Sequence, residues 1–428
     1  MTRTLYSLLL RLSLPALLLR LLWRSRRQPA YRRHWAERLG YFRRRPTSAK
    51  PLIWIHAVSV GETRAAEPLL ALLRTHHPEL AILLSHTTPT GRATGEDLFG
   101  GDIDIERVYL PYDTAAAMRR FLGHFRPLLG VLMETEIWPN LIAVCREQGL
   151  PLLLANARLS ARSAQRYARL PALTEPAVRG LVDIAAQSEE DAARLRQLGA
   201  TRVRVSGNLK FDSAPAAALI ERGRAWRRAW GSRPVLLAAS TREGEEALIL
   251  AALRRRPIAG LLLVLVPRHP QRFDAVTALA RNLDFQVARR SAGTEVSSGV
   301  EVLIGDSMGE MPAYYASCDL ALIGGSLLDF GCQNLIEACA VGAPVLLGPS
   351  TYNFAGAAQA ALACAAARQA ADADALLGVA AALLADESGR QRMSEAGLAF
   401  TASHRGASAR TLAMIEAYLG LGPSRIVG

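Results

Sequence analysis

Short apolar runs alternate with longer stretches of helical periodicity through most of this 428-residue chain. A first set of strand-like runs follows Pro51 and comprises residues 52–58, 81–85, 107–110, 128–133, 152–155, 184–186 and 202–206. A second set follows Pro234 and comprises residues 235–238, 261–266, 286–288, 302–304, 320–323 and 345–347. Strands that alternate with helices predict parallel sheets joined by right-handed crossovers. We therefore expect an α/β protein with two Rossmann-like, doubly wound domains that face a cleft.

The same pattern divides the chain into four segments. Residues 1–50 are hydrophobic and then rich in arginine, and residues 51–212 hold the first set of strands. Residues 213–233 are typical of a linker with a helix, and residues 234–428 hold the second set, followed by an alanine-rich tail that we expect to be helical. Two domains agree with a length of about 100–200 residues per domain.

The positive charge of the chain is concentrated at its N-terminus. The formal net charge is +13, and residues 1–50 contain twelve arginines and Lys50 against the single acid Glu37. Residues 51–428 therefore carry a net charge of only +1. Nucleic-acid-binding proteins usually carry their positive charge on a folded face, so we expect no nucleic-acid partner.

The arginines flank a leucine-rich segment, residues 5–23, which predicts a membrane anchor. Its longest uncharged stretch has eight residues, whereas a spanning helix needs about 20 apolar residues. A helix lying in the membrane interface fits this pattern, and basic residues add about 1 kcal/mol each at an anionic surface. A spanning anchor is the alternative. A cleaved signal peptide would have its basic residues before the apolar part and a small-residue cleavage site after it. In this chain the basic block follows the apolar part and no Ala-x-Ala follows Trp23, which disfavours a signal peptide.

Glu62 is a candidate catalytic residue at the end of the first strand. The periodicity of residues 65–73 predicts a helix, for which Thr63 is a possible cap. Ligands bind beyond the carboxyl ends of strands in open α/β sheets, and Glu62 lies at such an end. A helix N-terminus favours the ionised carboxylate, which can accept a proton. The alternative is that Glu62 only caps the helix.

Other strands of the first set also end in polar residues. Glu134 and Glu136 directly follow an apolar strand, although Thr135 and Glu136 are alternatively caps of the next helix. Two acids in such a place are costly to bury without partners. Lys210 lies at the junction of the two predicted domains, where a lysine can point into a cleft or be merely solvated.

The second set of strands offers groups that bind anions. Arg268 follows a very apolar strand, and a guanidinium binds phosphate or carboxylate in a bidentate manner. Residues 306–310 and residues 331–337 each predict the start of a helix, whose free N–H groups can bind phosphate. A carboxylate one turn into such a helix can accept hydrogen bonds from both hydroxyls of a ribose.

Several classes of site are disfavoured. No Walker loop and no G-x-G-x-x-G motif opens a first helix, which argues against an ATPase or a dinucleotide enzyme. Two Asp-x-Asp patterns, residues 102–104 and 372–374, resemble metal-binding motifs of some sugar-nucleotide enzymes. The first precedes a strand and the second lies in the alanine-rich tail. We therefore expect both to be solvated acids, and we expect neither a metal nor another cofactor.

Eight blocks of the chain resemble the 3-deoxy-D-manno-octulosonic acid (Kdo) transferases of lipopolysaccharide synthesis. They are His56-Ala-Val-Ser-Val-Gly-Glu62, Thr88-Pro-Thr-Gly91, Tyr109-Leu-Pro-Tyr-Asp113, Glu134-Thr-Glu-Ile-Trp-Pro-Asn140, Asn156-Ala-Arg-Leu-Ser160, Gly207-Asn-Leu-Lys-Phe-Asp212, Pro267-Arg-His-Pro270 and Met308-Gly-Glu310. The resemblance implies a GT-B fold, CMP-Kdo as donor, a lipid A precursor (lipid IVA) as acceptor, and a place on the cytoplasmic face of the inner membrane. Residues 51–212 would bind the acceptor and residues 234–428 the donor.

The resemblance also implies roles for individual residues. Glu62 would be the general base of an inverting transfer, supported in the transition state by Glu134 and Lys210. CMP would contact Pro267, Arg268, Met308, Gly309, Glu310, Asn334, Leu335, Ile336 and Glu337. One departure is that related sequences usually have Gly-His-Asn where this chain has Cys332-Gln333-Asn334. The alternatives are a GT-B enzyme that uses a UDP-sugar and a membrane-tethered sugar-binding protein without catalysis.

Overall fold

The computed structural model describes residues 1–26, 28–42, 48–293 and 296–420. It divides into two compact units. The first comprises Met1–Ser213 together with the chain from Arg405 onward, and the second comprises Ala214–His404. Each unit is built on one seven-stranded sheet in which every strand pairing is parallel.

The sheet of the first unit has the order β3-β2-β1-β4-β5-β6-β7. Its strands are β1 (Leu52–His56), β2 (Ala81–His86), β3 (Ile105–Tyr109), β4 (Leu129–Met133), β5 (Leu152–Ala157), β6 (Asp183–Ala186) and β7 (Val203–Val205). The central strands β1 and β4 are buried along their whole length because helices cover both faces of the sheet. The strand order reverses between β1 and β4, and this switch point is where open α/β sheets bind ligands.

The second sheet has the order β10-β11-β9-β8-β12-β13-β14. Its strands are β8 (Val235–Thr241), β9 (Leu262–Pro267), β10 (Val287–Arg289), β11 (Val302–Ile304), β12 (Leu320–Ile323), β13 (Val345–Leu347) and β14 (Ala367–Gln369). Here the order reverses between β8 and β12, which gives this unit a switch point of its own.

Helices connect these strands. Those of the first unit begin with α1 (Arg3–Ser25), α2 (Trp35–Arg38), α3 (Val60–His76), α4 (Pro89–Phe99), α5 (Ala115–Phe125), α6 (Pro139–Glu147), α7 (Ala161–Ala168), α8 (Pro171–Arg179) and α9 (Glu189–Gln197). The second unit contains α10 (Ala217–Ala229), α11 (Glu245–Arg255), α12 (Phe273–Asn282), α13 (Met311–Ser317), α14 (Ile336–Ala340), α15 (Ala355–Ala363), α16 (Ala373–Ala385) and α17 (Glu387–Ser403). The last helix, α18 (Ala407–Leu419), belongs to the first unit.

The expected α/β class is confirmed, and each predicted strand is present with ends shifted by a few residues. The alanine-rich tail, however, is not wholly helical, because it contains β14. Ala367 of this strand pairs with Val345 of β13. Alanine favours helices in isolation, but the free edge of a sheet overrides that preference.

The units divide the chain differently from the four predicted segments. Residues 28–42 pack against the first unit instead of extending the anchor. Arg38 is 4% exposed, donates to Thr87 O and lies 4.0 Å from the centre of the Tyr109 ring, while Glu37 accepts a hydrogen bond from Tyr109 N. The arginine-rich segment is therefore not a single element, because its aromatic and charged residues find partners in the body.

Two further segments differ from the expected division. Residues 213–233 include α10, which packs on α13 within the second unit. The C-terminal helix α18 buries Leu412 and Ile415 in the core of the first unit, and Asp212 accepts hydrogen bonds from the amides of Gly406 and Ser408 at its start. The functional roles assigned to the segments stay predictions, as does the cleft.

Helix α1 is the one helix, among the residues that the structure describes, that is long and apolar enough to cross a membrane. Its leucines are exposed, with Leu8 at 53% and Leu12 at 69% of their maximum. Its polar side is tied to the first unit, since Tyr6 donates to Asp113 and Ser7 donates to Asn140. The helix therefore presents an apolar face that the protein itself does not cover.

Candidate active site

The carboxyl ends of β1 and β4 bring two of the predicted site residues to one edge of the first sheet. The two strands are hydrogen-bonded neighbours, with His56 in register with Leu132. Glu62 lies in the first turn of α3 after β1, and Glu134 directly follows β4. Both residues therefore lie at the switch point of this sheet, as the sequence pattern predicted for Glu62.

Glu62 is held by the loop that precedes its helix. Ser59 is the N-cap of α3, and its side chain accepts a hydrogen bond from Glu62 N. In return, Glu62 Oε1 accepts from Ser59 Oγ at 3.0 Å, and Oε2 accepts from Val58 N at 2.8 Å. This is a variant of the capping box, so the expected cap, Thr63, was wrong. Glu62 both caps the helix and lies at the edge where ligands bind.

The ionisation of Glu62 differs from the expectation. Burial, together with the neighbouring charges of Glu134 and Glu136, raises the pKa of its carboxyl to about 8. The hydrogen bonds from Val58 and Ser59 act in the opposite direction but do not prevail. The expected dominance of the helix N-terminus was therefore wrong, because desolvation and like charge outweigh it. Once ionised, such a carboxylate is a stronger base than an ordinary glutamate.

Glu134 forms an ion pair with the third predicted catalytic residue. Lys210 Nζ lies 2.9 Å from Glu134 Oε1, and both side chains are largely buried, with exposed fractions of 19% and 14%. The structure thus brings together Glu134 and Lys210, which are 76 positions apart in sequence. Glu134 has a left-handed backbone, with φ of +57°, which is a strained conformation for a residue with a side chain.

Short polar contacts fix Lys210 in place. It lies in a 3₁₀ turn (Leu209–Asp212) that begins at Asn208, whose side chain accepts a hydrogen bond from Lys210 N. Asn156, just before the end of β5, accepts a hydrogen bond from Leu209 N. The lysine is therefore attached to the sheet edge and is not a solvated junction residue.

The segment after Glu134 is organised differently from the capping alternative. Glu136 accepts a hydrogen bond from the indole of Trp138 at 2.5 Å. The first amides of α6 are instead capped by Asp113, which accepts from Asn140 N and from Leu141 N. Thr135 and Glu136 are thus not the caps. The sequence did not identify Asp113 as the cap of α6, because Asp113 lies 27 positions before Asn140.

Two buried histidines support the Glu62 loop and were not assigned from the sequence. His86 Nδ1 lies 2.8 Å from Ala57 O, so this nitrogen carries the proton and donates. His56 contacts Ser85 through its own Nδ1. Burial lowers the pKa of His86 to about 4 and that of His56 to about 3. Both rings are therefore neutral at physiological pH. His56 is the last residue of β1 and His86 the last residue of β2, and this position at a strand end was the available signal.

The predicted donor-binding residues lie at the carboxyl edge of the second sheet. Pro267 is the last residue of β9, and the amide of Arg268 donates to Thr241 O at the end of β8. Met308, Gly309 and Glu310 follow β11, while Asn334 to Glu337 follow the loop after β12. These strands are consecutive in the sheet, in the order β11-β9-β8-β12. The structure therefore brings all three predicted segments to the same edge.

The segment after β11 combines an exposed and a fixed residue. Met308 is 62% exposed, and Gly309 has a φ of +80°, which glycine adopts without strain. Glu310 pairs with Arg222 at 2.8 Å and with Arg290 at 3.2 Å. Burial tends to raise the pKa of Glu310, but its hydrogen bonds and the two arginines prevail and lower it. Glu310 is therefore an ionised, firmly oriented acceptor at the start of α13.

The segment after β12 contains two polar residues, Asn334 and Glu337, which flank two buried apolar residues, Leu335 and Ile336. Asn334 Nδ2 donates to Glu337 Oε1 at 3.0 Å, and Asn334 Oδ1 accepts from Ile336 N. The side chains of Leu335 and Ile336 are buried, so a ligand can meet only the backbone groups of these two residues. This segment opens α14, as predicted.

Residues that the sequence analysis passed over hold this edge together. Glu245 is fully buried and accepts hydrogen bonds from the amides of Arg242, Gly325 and Leu327. Its neighbour Glu246 forms a bidentate ion pair with Arg272 at 2.7 and 2.8 Å. The acid-rich run directly after a predicted strand was the signal that could have identified them.

The two Asp-x-Asp patterns have structural partners. Asp102 and Asp104 pair with Arg74, and Asp104 also pairs with Lys50. Asp372 caps α16, and Asp374 of the same pattern forms an ion pair with Arg255. These acids therefore take part in surface ion pairs and a helix cap.

Comparisons with known proteins identify the family. The family model for the 3-deoxy-D-manno-octulosonic-acid transferase (kdotransferase) matches residues 33–213. A 3-deoxy-D-manno-octulosonic acid transferase from Bordetella pertussis is 48% identical over 387 residues, which cover 88% of this chain and 90% of the relative. The corresponding enzyme from Haemophilus influenzae is 36% identical over 427 residues, which cover 98% and 99%. The chain belongs to the Kdo transferase family.

The Kdo transferase is therefore a glycosyltransferase of lipopolysaccharide biosynthesis, as the eight sequence blocks implied. Its fold resembles the crystal structure of a glycosyltransferase from Rickettsia africae ESF-5, with a TM-score of 0.61 and 13% identity. That match covers 88% of this chain and 100% of the other. At this identity the likeness concerns the GT-B-type fold alone.

Because burial keeps Glu62 protonated to an unusually high pH, its substitution should change how the stability of the Kdo transferase depends on pH. A carboxyl whose folded pKa is raised costs stability as the pH rises from its unfolded pKa, about 4.3, to its folded pKa, about 8. Glu62→Gln does not titrate and keeps an acceptor for Val58 N. We expect Glu62→Gln to gain on the order of 2–4 kcal/mol relative to wild type between pH 5 and pH 9.

Chemical denaturation in detergent at several pH values measures this difference. The matched control is Glu67→Gln, an exposed position on the same helix, for which no pH-dependent gain is expected. A constant difference between Glu62→Gln and wild type across this range would contradict the raised pKa.

Proposed function

We propose that this Kdo transferase moves Kdo from CMP-Kdo to a lipid A precursor, lipid IVA, with inversion at the anomeric carbon and with Glu62 as general base. The observation that carries the proposal is the buried Glu62 carboxyl beside the Glu134–Lys210 ion pair, at the switch point of the first sheet. A group that accepts a proton near neutral pH needs such a raised pKa. A purely structural cap would not.

The chemical step is a single displacement. Glu62 takes the proton of an acceptor sugar hydroxyl while that oxygen forms a bond to the anomeric carbon of Kdo. The bond between this carbon and the phosphate oxygen breaks, and CMP leaves with the electron pair. A phosphate leaving group needs no general acid, so one carboxylate suffices for proton transfer. Attack from the opposite face inverts the configuration.

Glu134 and Lys210 would act on the charge that develops in this step. The transition state of glycosyl transfer resembles an oxocarbenium ion, whose positive charge a carboxylate stabilises. The Lys210 ammonium, 2.9 Å from Glu134, orients that carboxylate. Preorganised groups of this kind contribute about 2.7–4 kcal/mol each.

The donor nucleotide would bind at the carboxyl edge of the second sheet. Arg268 suits the phosphate because its guanidinium can form two parallel hydrogen bonds. Asn334 and Glu337 are oriented by their mutual hydrogen bond and would accept or donate at the ribose hydroxyls. Met308 to Glu310 would contact the base. None of these groups requires a metal or another cofactor.

Mass spectrometry of the product tests the proposal. Purified enzyme with CMP-Kdo and lipid IVA should yield a Kdo-modified lipid and an equal amount of CMP. The same assay with UDP-sugars tests the alternative donor class, and competition between CMP and UMP should favour CMP. Turnover with a UDP-sugar but not with CMP-Kdo would overturn the donor assignment, and binding without release of CMP would favour a sugar-binding protein.

Glu62→Gln should lower kcat by about 10²–10⁴-fold, since a positioned general base contributes that much to rate. CMP affinity should hardly change, because the glutamate belongs to the first sheet and the proposed nucleotide site to the second. Steady-state kinetics and calorimetric titration of CMP measure the two effects. The matched control Glu67→Gln should retain wild-type turnover. Wild-type turnover in Glu62→Gln would exclude the base role.

The rate should also depend on the ionisation of Glu62. Because only the carboxylate accepts a proton and the pKa of Glu62 is raised to about 8, kcat/KM should rise with pH and level off above about 8. Glu134→Gln removes one charge that raises this pKa, so the rising limb should move to lower pH in that variant. In Glu62→Gln, kcat/KM of the residual activity should no longer show this rise with pH. An unchanged limb in Glu62→Gln would assign it to another group.

The exposed leucines of α1 should hold the enzyme at an anionic inner-membrane surface, with the body on the cytoplasmic face. Deleting residues 1–26, or replacing Leu8 and Leu12 by glutamine, should weaken binding to anionic vesicles in a flotation assay. The double substitution keeps the contacts of Tyr6 and Ser7 with the body. Transfer to the lipid acceptor should fall more than transfer to a soluble acceptor fragment. Equal loss with both acceptors would indicate damage to the fold instead.

A further inference from the structure

Arg242 lies at the switch point of the second sheet and has no role in the function proposed above. It directly follows β8, and the strand order reverses between β8 and β12. Its amide is fixed by Glu245, which accepts a hydrogen bond from it at 2.7 Å. The backbone of Arg242 is therefore anchored independently of its side chain, and the guanidinium is available for another purpose.

Two loops, those after β9 and β12, position the side chain of Arg242. Its guanidinium nitrogen Nη1 lies 3.4 Å from His269 Nε2 in the loop after β9. Its Cζ atom lies 4.7 Å from the centre of the Phe330 ring in the loop after β12. Its Cγ atom passes the turn at Gly325, whose φ of +72° glycine adopts without strain. The guanidinium is thus held over the sheet edge by an aromatic face on one side and an imidazole on another.

Three acids follow Arg242 in the sequence: Glu243 is exposed and its charge acts on Arg272, while Glu245 and Glu246 are engaged elsewhere. Glu245 binds backbone amides, and Glu246 forms its bidentate pair with Arg272. Among the residues that the structure describes, no carboxylate forms an ion pair with Arg242. The positive charge at this edge is also reinforced by Arg268, which follows the adjacent strand β9. An arginine such as Arg242, which no described carboxylate neutralises and which lies near a second arginine, is typical of a site that binds an anion.

His269 supports the same interpretation. Burial lowers its pKa, and the charges of Arg242, Arg268 and Arg272 lower it further. The neutral imidazole is therefore more favoured here than in a free histidine. Its ring can then rotate to accept from the guanidinium or to donate to an anion. An anion bound beside it would favour its protonated form.

The site is continuous with the residues proposed to bind the donor nucleotide. Gln333, which directly precedes Asn334, donates its amide to Gly324 O, and its side chain and that of Arg242 both border the space that a side chain on Gly325 would occupy. Arg268 directly precedes His269. The Arg242 side chain thus lies between the two segments that carry the proposed phosphate and ribose contacts.

We propose that Arg242, with His269 beside it and Phe330 beneath it, forms a further anion-binding subsite that holds an oxyanion of the donor. The proposal rests on the donor assignment above. CMP-Kdo carries two candidate groups, the phosphate of the nucleotide and the carboxylate of the sugar acid. A guanidinium binds either one with two parallel hydrogen bonds and tolerates the stacked position over Phe330.

The test compares binding of cytidine and CMP, and the KM for CMP-Kdo, in wild type, Arg242→Gln and Arg242→Lys. The full-length enzyme is used in detergent. We expect Arg242→Gln to weaken oxyanion-dependent binding about 10- to 100-fold, and Arg242→Lys to lose less because it keeps the charge but not the fork. The matched control is Arg255→Gln, an exposed arginine on α11 that pairs with Asp374.

The ligands separate the two sources of the anion. Loss of CMP affinity with unchanged cytidine affinity assigns the phosphate to Arg242, whereas a raised KM for CMP-Kdo with unchanged CMP affinity assigns the sugar carboxylate. Equal affinities and KM in Arg242→Gln and wild type would overturn the subsite. So would equal loss with cytidine, because that would indicate general damage. Failure of the wild type to prefer CMP over UMP would instead overturn the donor assignment.

Discussion

The burial of the Glu62 carboxyl beside Glu134 is the constraint on which the first unit's site depends. Two carboxylates at one sheet edge repel each other and lose hydration, so both cannot be ionised there without compensation. The Lys210 ammonium compensates Glu134 at 2.9 Å, and Glu62 remains the group that gains and loses the proton. The same arrangement that costs stability therefore produces a carboxyl with a pKa near neutrality.

Parallel sheet topology explains why such groups meet. In each unit the strand order reverses at one pair of neighbouring strands, β1 and β4 in the first and β8 and β12 in the second. The loops after these strands diverge and leave a crevice at the carboxyl edge. A buried glutamate holds the loops at each crevice: Glu62 accepts from Val58 N and the Ser59 hydroxyl in one, and Glu245 accepts from three backbone amides in the other. The two glutamates differ in their surroundings: Glu62 lies near a second acid, Glu134, whereas Glu245 accepts hydrogen bonds from the backbone of the loops.

The sequence predicted the α/β class and the strand positions because buried parallel strands are continuous apolar runs. It also placed Glu62, Glu134 and Arg268 at strand ends, which is a local property of the pattern. It did not predict the ion pair of Glu134 with Lys210 or the capping of α6 by Asp113. These contacts join residues far apart in sequence, and only the folded chain brings them together.

The wrong expectation about Glu62 shows where local reasoning fails. A helix N-terminus stabilises a carboxylate by about 0.3–1 kcal/mol at an exposed site, which is less than one unit of pKa. Desolvation and a neighbouring like charge shift a buried carboxyl by several units. The sequence shows the helix start but not the depth of burial, since burial depends on how α3 packs on β1 and on its neighbours. The larger effect was therefore the one that the pattern could not reveal, and it is also the effect that suits Glu62 to accept a proton.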